Sequence, residues 1–266
     1  NLFIYIYIEM IAIVFMVAGM SSRFGGKLKQ LAKIGPNNET LIEYSVNQAL
    51  TSKKIKQIIF ITNTKTKHLF VDLFKSEYMN IPVAYIDQTY DRNVRLRPWG
   101  SADAVSMSVN FPCDSFIICN GDDIYGEKAF SIASAKIENG NIFLGYKLIN
   151  TLPDKGKVNR GYVKVKNEKV VEIKEVLGIE KNNYDSELLE QICNVNFIGL
   201  YPDVIKKLKK IVSEFKKINK NDPKIECFLP DCLNLLIQKG EMTMDAHYIP
   251  GKCLGITHPD DEEKVR

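Results

Sequence analysis

The stretch IAIVFMVAGMSSRFGG, from Ile11 to Gly26, opens on a continuous apolar run and closes on a glycine-bearing loop. Ile11 to Val17 carries no polar residue and is rich in β-branched and aromatic side chains, as expected of a parallel strand buried on both faces. The loop that follows holds Gly19, Gly25, Gly26 and Arg23, with Lys27, Lys29 and Gln30 just beyond. A buried strand that ends this way presents backbone N–H groups at the carboxyl edge of a sheet, where open α/β sheets bind ligands. Glycine lets the backbone approach a phosphate closely, and Arg23 and Lys29 supply the neutralising charge. The spacing fits neither the Walker loop nor the dinucleotide GxGxxG pattern. On these residues alone, a strand–helix turn with surface cations fits as well as a phosphate cradle.

Working outward, apolar runs at Ile55–Thr62, Ile81–Ile86 and Ser115–Asn120 read as further buried strands. Helical spacing places helices over Glu39–Leu50, with Asn38 as its N-cap, over Thr66–Tyr78 and over Ser101–Val109. Strands alternating with helices in this way mean βαβ units and a parallel sheet. The second half changes character. Asn141–Leu148, Gly161–Val165 and Lys169–Lys174 read as strands without long helices between them, hence a mixed or antiparallel portion. Val195–Tyr201 is a strand, Asp203–Ile218 an amphipathic helix whose lysines oppose its apolar stripe, Cys227–Lys239 a helix and Met242–Tyr248 a late strand.

The chain has 266 residues, 45% of them hydrophobic and 26% charged, which is ordinary globular usage and excludes a disordered or collagen-like chain. Lys and Arg (36) outnumber Asp and Glu (32) only slightly and are scattered, so no nucleic-acid partner is expected. The six cysteines form no CxxC pair, and Cys113, Cys119 and Cys193 lie in or beside apolar strands; reduced thiols and a cytoplasmic location are the reading. Asn1–Gly19 is apolar but broken by Glu9, lacks a basic n-region and cleavage site, and is β-branched, so no membrane partner is expected. Met10 stands as a natural start, with residues 1–9 as an extension. No repeat or linker divides the chain, which reads as one domain over 1–266.

Two further segments carry chemistry. In WGSADA (Trp99–Ala104), a glycine at a loop-to-helix transition lets a planar ligand lie against the backbone, although a helix start capped by Ser101 explains it equally well. In NGDDIYG (Asn120–Gly126), Asp122 and Asp123 follow a buried strand directly. Hard oxygen ligands at a strand end are how Mg²⁺ is held beside substrate phosphates, and this is favoured over an acidic surface turn.

In this order the three segments resemble the nucleotidyltransferase family that includes the sugar-1-phosphate nucleotidylyltransferases, and most of all a compact bacterial branch. The likeness runs from about Ile11 to the C-terminus and takes in GPNNET (Gly35–Thr40), RPWGS (Arg97–Ser101), VNRG (Val158–Gly161) and FLPD (Phe228–Asp231). It implies an α/β fold with a Rossmann-like, mainly parallel central sheet, helices on both faces, and a smaller mixed β region that binds the acceptor. It implies that Ala18, Gly19, Met20, Ser21 and Ser22 wrap the triphosphate with Arg23, that Lys29 reaches its phosphates, and that Gln88, Gly100 and Ser101 face the base. Asp122 then holds Mg²⁺, while Gly161, Glu175 and Asn196 meet the acceptor. Ser21 replaces a family glycine. Gly255 stands where relatives often place a second metal ligand, which leaves Asp123 or water to supply it.

The reaction so implied joins an NTP to a phosphorylated small molecule, a sugar 1-phosphate first among them, and releases pyrophosphate. The acceptor phosphate is already ionised, so no covalent intermediate or general base is needed, and positioning and charge neutralisation carry the rate. A cytidylyltransferase for a phosphorylated alcohol and a non-enzymatic nucleotide-sugar-binding relative stay open beside it. A homo-oligomer is also left open.

Overall fold

The computed structural model describes residues 9–19, 28–152, 158–179 and 186–255, with backbone only at 158, 159, 175, 177, 186 and 255. Its strands are β1 (Ile11–Met16), β2 (Ile55–Thr62), β3 (Glu77–Tyr78), β4 (Ile81–Asp87), β5 (Ser115–Asn120), β6 (Asp123–Ile124), β7 (Ile142–Lys147), β8 (Val158–Lys166), β9 (Lys169–Ile179), β10 (Ile192–Leu200), β11 (Asp245–Tyr248) and β12 (Leu254–Gly255). The helices are α1 (Leu41–Leu50), α2 (Lys67–Phe74), α3 (Ser101–Ser106), α4 (Glu127–Lys136), α5 (Ser186–Leu189), α6 (Pro202–Ile218) and α7 (Leu229–Gln238).

A ten-stranded sheet runs in the order β3-β4-β2-β1-β5-β10-β7-β11-β9-β8. β4, β2, β1 and β5 are mutually parallel, which is the expected βαβ half. β10 runs antiparallel to β5, β7 and β8, so the mixed region joins the parallel half through one shared strand. Alternation along the central strands sorts the core onto the two faces. Ala12, Val14, Ile59 and Ile118 pack with α3, α6 and α7, whereas Ile13, Phe15, Phe60 and Ile117 pack with α1, α2 and α4. The all-apolar reading of β1 follows from helices on both faces.

Local chemistry corrects three boundaries. α1 begins at Leu41 and its N-cap is Thr40, not Asn38: Thr40 Oγ1 accepts from Glu43 N–H and the Glu43 carboxylate accepts from Thr40 N–H, a capping box. Asn38 instead takes a positive φ of 66° in the turn before it, a conformation asparagine tolerates. α2 stops at Phe74, where Lys75 turns to φ 55°, and Met79 (φ 52°) and Asn80 (φ 63°) then form the two-residue turn of a β3–β4 hairpin. The helix expected over Ser101–Val109 is α-helical only to Ser106 and continues as a 3₁₀ turn over Met107–Asn110. α4 has no counterpart in the sequence reading; its small, alternating Ala and Ser residues give little apolar stripe, and only Ala129, Phe130, Ala133 and Ser134 are buried. Among the described residues, no helix is long and apolar enough to cross a membrane.

Candidate active site

The carboxyl ends of β1, β2, β4 and β5 converge on one edge. β1 leads through Val17 to Ala18 and Gly19; the Val17 N–H donates to Ile61 O (2.9 Å), and Asn63 Nδ2 donates to Ala18 O (2.8 Å). Asn63 is 4% exposed and its Oδ1 caps the chain at Lys65 and Thr66, so it anchors the start of the loop from the end of β2. Met20, Ser21, Ser22 and Arg23 lie outside the described residues. Gly121 closes β5 against β1: its N–H donates to Met16 O, and a Cβ there would stand 2.3 Å from Val17 Cγ1.

That close approach sets Asp122 at the edge. Lys29, on a 3₁₀ turn (Lys29–Leu31), lies with Nζ 3.4 Å from Asp122 Oδ2; the Lys29 side chain is 13% exposed and that of Asp122 35%. The structure thus brings together the cation and the carboxylate that are separated by 93 positions in sequence. Asp123 points elsewhere. Its Oδ2 accepts from Asn120 Nδ2 (2.7 Å) and lies 3.4 Å from the Tyr125 hydroxyl, which donates to Val195 O (2.9 Å). Burial, and then repulsion from Asp122, push the Asp123 carboxyl up to about 7, against the opposing pull of Asn120 and Arg160.

The acceptor residues lie on the mixed strands. Gly161 pairs with Glu175 across β8–β9 and with Asn194 across β10–β8, and its missing Cβ would meet Asn194 Cβ at 3.0 Å. The Glu175 side chain lies outside the described residues. Asn196 sits where the β10–β7 register slips between Asn194 and Phe197, with φ 53° and its N–H bound by Asn194 Oδ1 (2.9 Å). Asn196 Nδ2 donates to Asn120 Oδ1 (3.3 Å), while Asn196 Oδ1 is buried and has no partner among the described residues.

At the opposite corner, Gln88 follows β4 and is 5% exposed; its Nε2 donates to Gly100 O (2.9 Å) and to Asp103 Oδ2 (3.0 Å). Gly100 has φ 98°, and its Cβ would lie 2.5 Å from Cys227 O, so only glycine fits between α3 and the chain entering α7. The Ser101 hydroxyl accepts from Leu229 N–H (2.9 Å) and stitches α3 to α7. Trp99 is covered by the Arg95 guanidinium, 3.3 Å from the ring centroid, which is a packing arrangement. Arg95 is 3% exposed and donates to carbonyls of Arg97, Asp222 and Ile225, holding the loop after β4 onto the α6–α7 connection.

Residues 25–187, more than half of the 266, match the family model described as nucleotidyl transferase. The chain belongs to that family. Solved structures similar to this nucleotidyltransferase include a putative glucose-1-phosphate thymidylyltransferase from Bacillus anthracis, at TM-score 0.68 and 16% identity over 96% of this chain and 93% of that one. A nucleoside-diphosphate-sugar pyrophosphorylase from Vibrio cholerae RC9 gives 0.66 and 20% over 96% and 99%. An inositol-1-phosphate CTP transferase from T. maritima gives 0.65 and 15% over 97% of both chains. At these identities the likeness shows the shared fold. A comparison with curated proteins finds no match.

Sequence reasoning assigned no role to Asn63, Asn120, Asn194, Arg160 or Asp103 of this nucleotidyltransferase. Asn120, Asp103 and Arg160 stood inside quoted motifs, so their positions were visible. Their partners on other elements, Asn196 for Asn120 and Gln88 and Lys216 for Asp103, were not.

Proposed function

We propose that this nucleotidyltransferase joins an NTP to a sugar 1-phosphate, giving an NDP-sugar and pyrophosphate. The observation that carries the reading is the amide of Asn120: it binds Asp123 with one end and Asn196 with the other, so the corner holding Lys29 and Asp122 and the strand β10 that offers Asn196 form one hydrogen-bonded site.

Lys29 and Arg23 bind the triphosphate. Asn63 and the close packing of Gly121 on Val17 hold the two loops that carry them and Asp122. Asn196 Oδ1, a buried acceptor without a partner among the described residues, suits a ligand hydroxyl, because an unmatched buried acceptor is costly. Asn194, Asn196 and the Gly161 backbone on the mixed strands offer neutral hydrogen-bonding groups suited to sugar hydroxyls, which supports a sugar as the acceptor. A phosphate oxygen of the acceptor attacks the α-phosphorus in line; the P–O bond to the β-phosphate breaks and pyrophosphate leaves with its electron pair.

The residues present fit a hard divalent cation that takes most of its ligands from water and phosphate. Asp122 is a half-exposed carboxylate at the strand end, Asp123 is engaged by Asn120, and Gly255, opposite Asp123 in the β12–β6 pairing, brings no side-chain ligand. Among the described residues no group of three His, Cys, Asp or Glu side chains forms a metal cage, and Mg²⁺ is the ion that does without one. Bound by Asp122, with Asp123 behind it, Mg²⁺ would supply charge neutralisation at the phosphates.

Pyrophosphate release, measured for four NTPs against a panel of sugar 1-phosphates, tests the reading. Release that requires one NTP, one sugar 1-phosphate and Mg²⁺ together is expected. NTP binding with no release for any pair would favour a nucleotide-sugar-binding relative without activity.

A further inference from the structure

Resting on that nucleotide-binding reading, we propose that Asp103, with Lys216 behind it, is a positioning residue that fixes which edge of the nucleobase this enzyme accepts. Gln88 is the link. Its Nε2 donates to the Gly100 carbonyl (2.9 Å) and to Asp103 Oδ2 (3.0 Å). A carbonyl and a carboxylate both accept only, so the Gln88 amide is held one way round; reversed, its Oε1 would face two acceptors in a buried corner. Gln88 is 5% exposed and Asp103 3%, so water offers little relief to a reversed amide. The other Asp103 oxygen, Oδ1, receives the ammonium of Lys216 from α6, which compensates the buried carboxylate. The Gln88 backbone is fixed as well, through its N–H on Thr62 O (2.7 Å) at the end of β2.

Both Nε2 protons are therefore spent inside the protein, and Oε1, which accepts from none of the described residues, is the end left for a ligand. An acceptor in that place selects a base that presents an N–H to it, an exocyclic amino group or a ring imide, and rejects one that presents a carbonyl. α3 and α6 thereby reach the base through Gln88 without touching it.

Equilibrium binding of NTP pairs that exchange an amino for an oxo group, CTP against UTP and ATP against ITP, reads this directly. The wild type should favour one member of at least one pair by roughly tenfold or more, the effect of one unmatched buried polar group. Asp103→Asn offers both a donor and an acceptor, frees the Gln88 amide to turn, and should bring that ratio close to one. Affinity for tripolyphosphate, which has no base, should stay unchanged. If Asp103→Asn does not fold, Lys216→Met removes the cation without altering Gln88 and should lower the ratio in the same way. A wild type that binds both members of every pair equally, or a folded variant that keeps the wild-type ratio, overturns this inference alone. A wild type that binds no NTP overturns the nucleotide-binding reading and this inference with it.

Discussion

Asn196 Nδ2 donates to Asn120 Oδ1 across 3.3 Å, joining a bulged residue of β10 to the last residue of β5. β5 belongs to the parallel half that carries Asp122, and β10 to the mixed half that carries the proposed acceptor residues. This bond leaves Asn196 Oδ1 as the buried group free to accept. Asn196→Ala is therefore expected to raise the KM for the acceptor, by about 1–3 kcal/mol in binding terms, and to leave the KM for NTP nearly unchanged. Steady-state kinetics with each substrate varied in turn checks the split.

Lys29→Ala and Arg23→Ala should each lower turnover far more than stability. Charge-assisted contacts that strengthen as charge builds on the leaving pyrophosphate affect kcat as well as KM. The Lys29 contact with Asp122 is a partly exposed ion pair worth only about 0–1 kcal/mol to the fold. Parallel urea unfolding and turnover measurements separate the two quantities, and near-normal turnover in both variants would make the loop structural.

The parallel strands of the first half were legible in the sequence because burial on both faces writes itself as unbroken apolar runs; β2 and β5 keep the very bounds their residues suggested, whereas the order of the strands in the sheet was not readable. α4 was not legible, since Phe130 is the one large apolar side chain among its buried positions and the others, Ala and Ser, leave no stripe to read. At the site, Lys29 and Asp122 could be singled out by residue type. The network behind them could not, because Asn63, Asn120 and Asp103 act through partners on other strands and helices. Ser101 shows the converse: its hydroxyl, a plausible ligand group in sequence, is bound to the Leu229 N–H of α7.

The Asp123 carboxyl, raised from 3.8 to about 7 by burial and by Asp122, makes a prediction about pH. Its folded-state value exceeds its unfolded one, so the folded protein holds the proton more tightly, and the stability this contributes is lost as pH rises from about 4 through 7. Asp123→Asn, which keeps the shape and an acceptor for Asn120, should gain stability relative to wild type as pH increases from 5 to 8. Chemical denaturation across that range in a chelator, without divalent metal, checks the trend. A constant difference between the two proteins would mean that Asp123 does not titrate there.

Gly121→Ala would set a Cβ 2.3 Å from Val17 Cγ1 and 3.2 Å from Met16 O, where β5 closes on β1. Overpacking of this kind costs about 1–3 kcal/mol, and moving Asp122 with it should lower turnover too. Val17→Ala removes the clashing methyl, so the double variant should recover more stability than additivity allows. Urea midpoints for the four proteins of that cycle decide the matter.

Asp122→Asn keeps the side chain's shape and removes its charge, so the protein should stay folded, bind NTP weakly and lose Mg²⁺-dependent turnover. Asp123→Asn should cost less if Asp123 only supports Asp122, and a comparable amount if it supplies the ligand that Gly255 does not. Mg²⁺ titration of activity in both variants separates these roles, and full Mg²⁺-dependent activity in Asp122→Asn would remove Asp122 from the chemistry.

The most direct test of nucleotidyl transfer to a sugar 1-phosphate follows the α-phosphorus itself. With α-³²P-labelled NTP, Mg²⁺ and the sugar 1-phosphate that supports release, the label should appear in an NDP-sugar and the pyrophosphate should be unlabelled, with neither formed when the sugar phosphate is omitted. Label recovered as NMP regardless of acceptor, or no consumption of any NTP with any sugar 1-phosphate, would contradict the account.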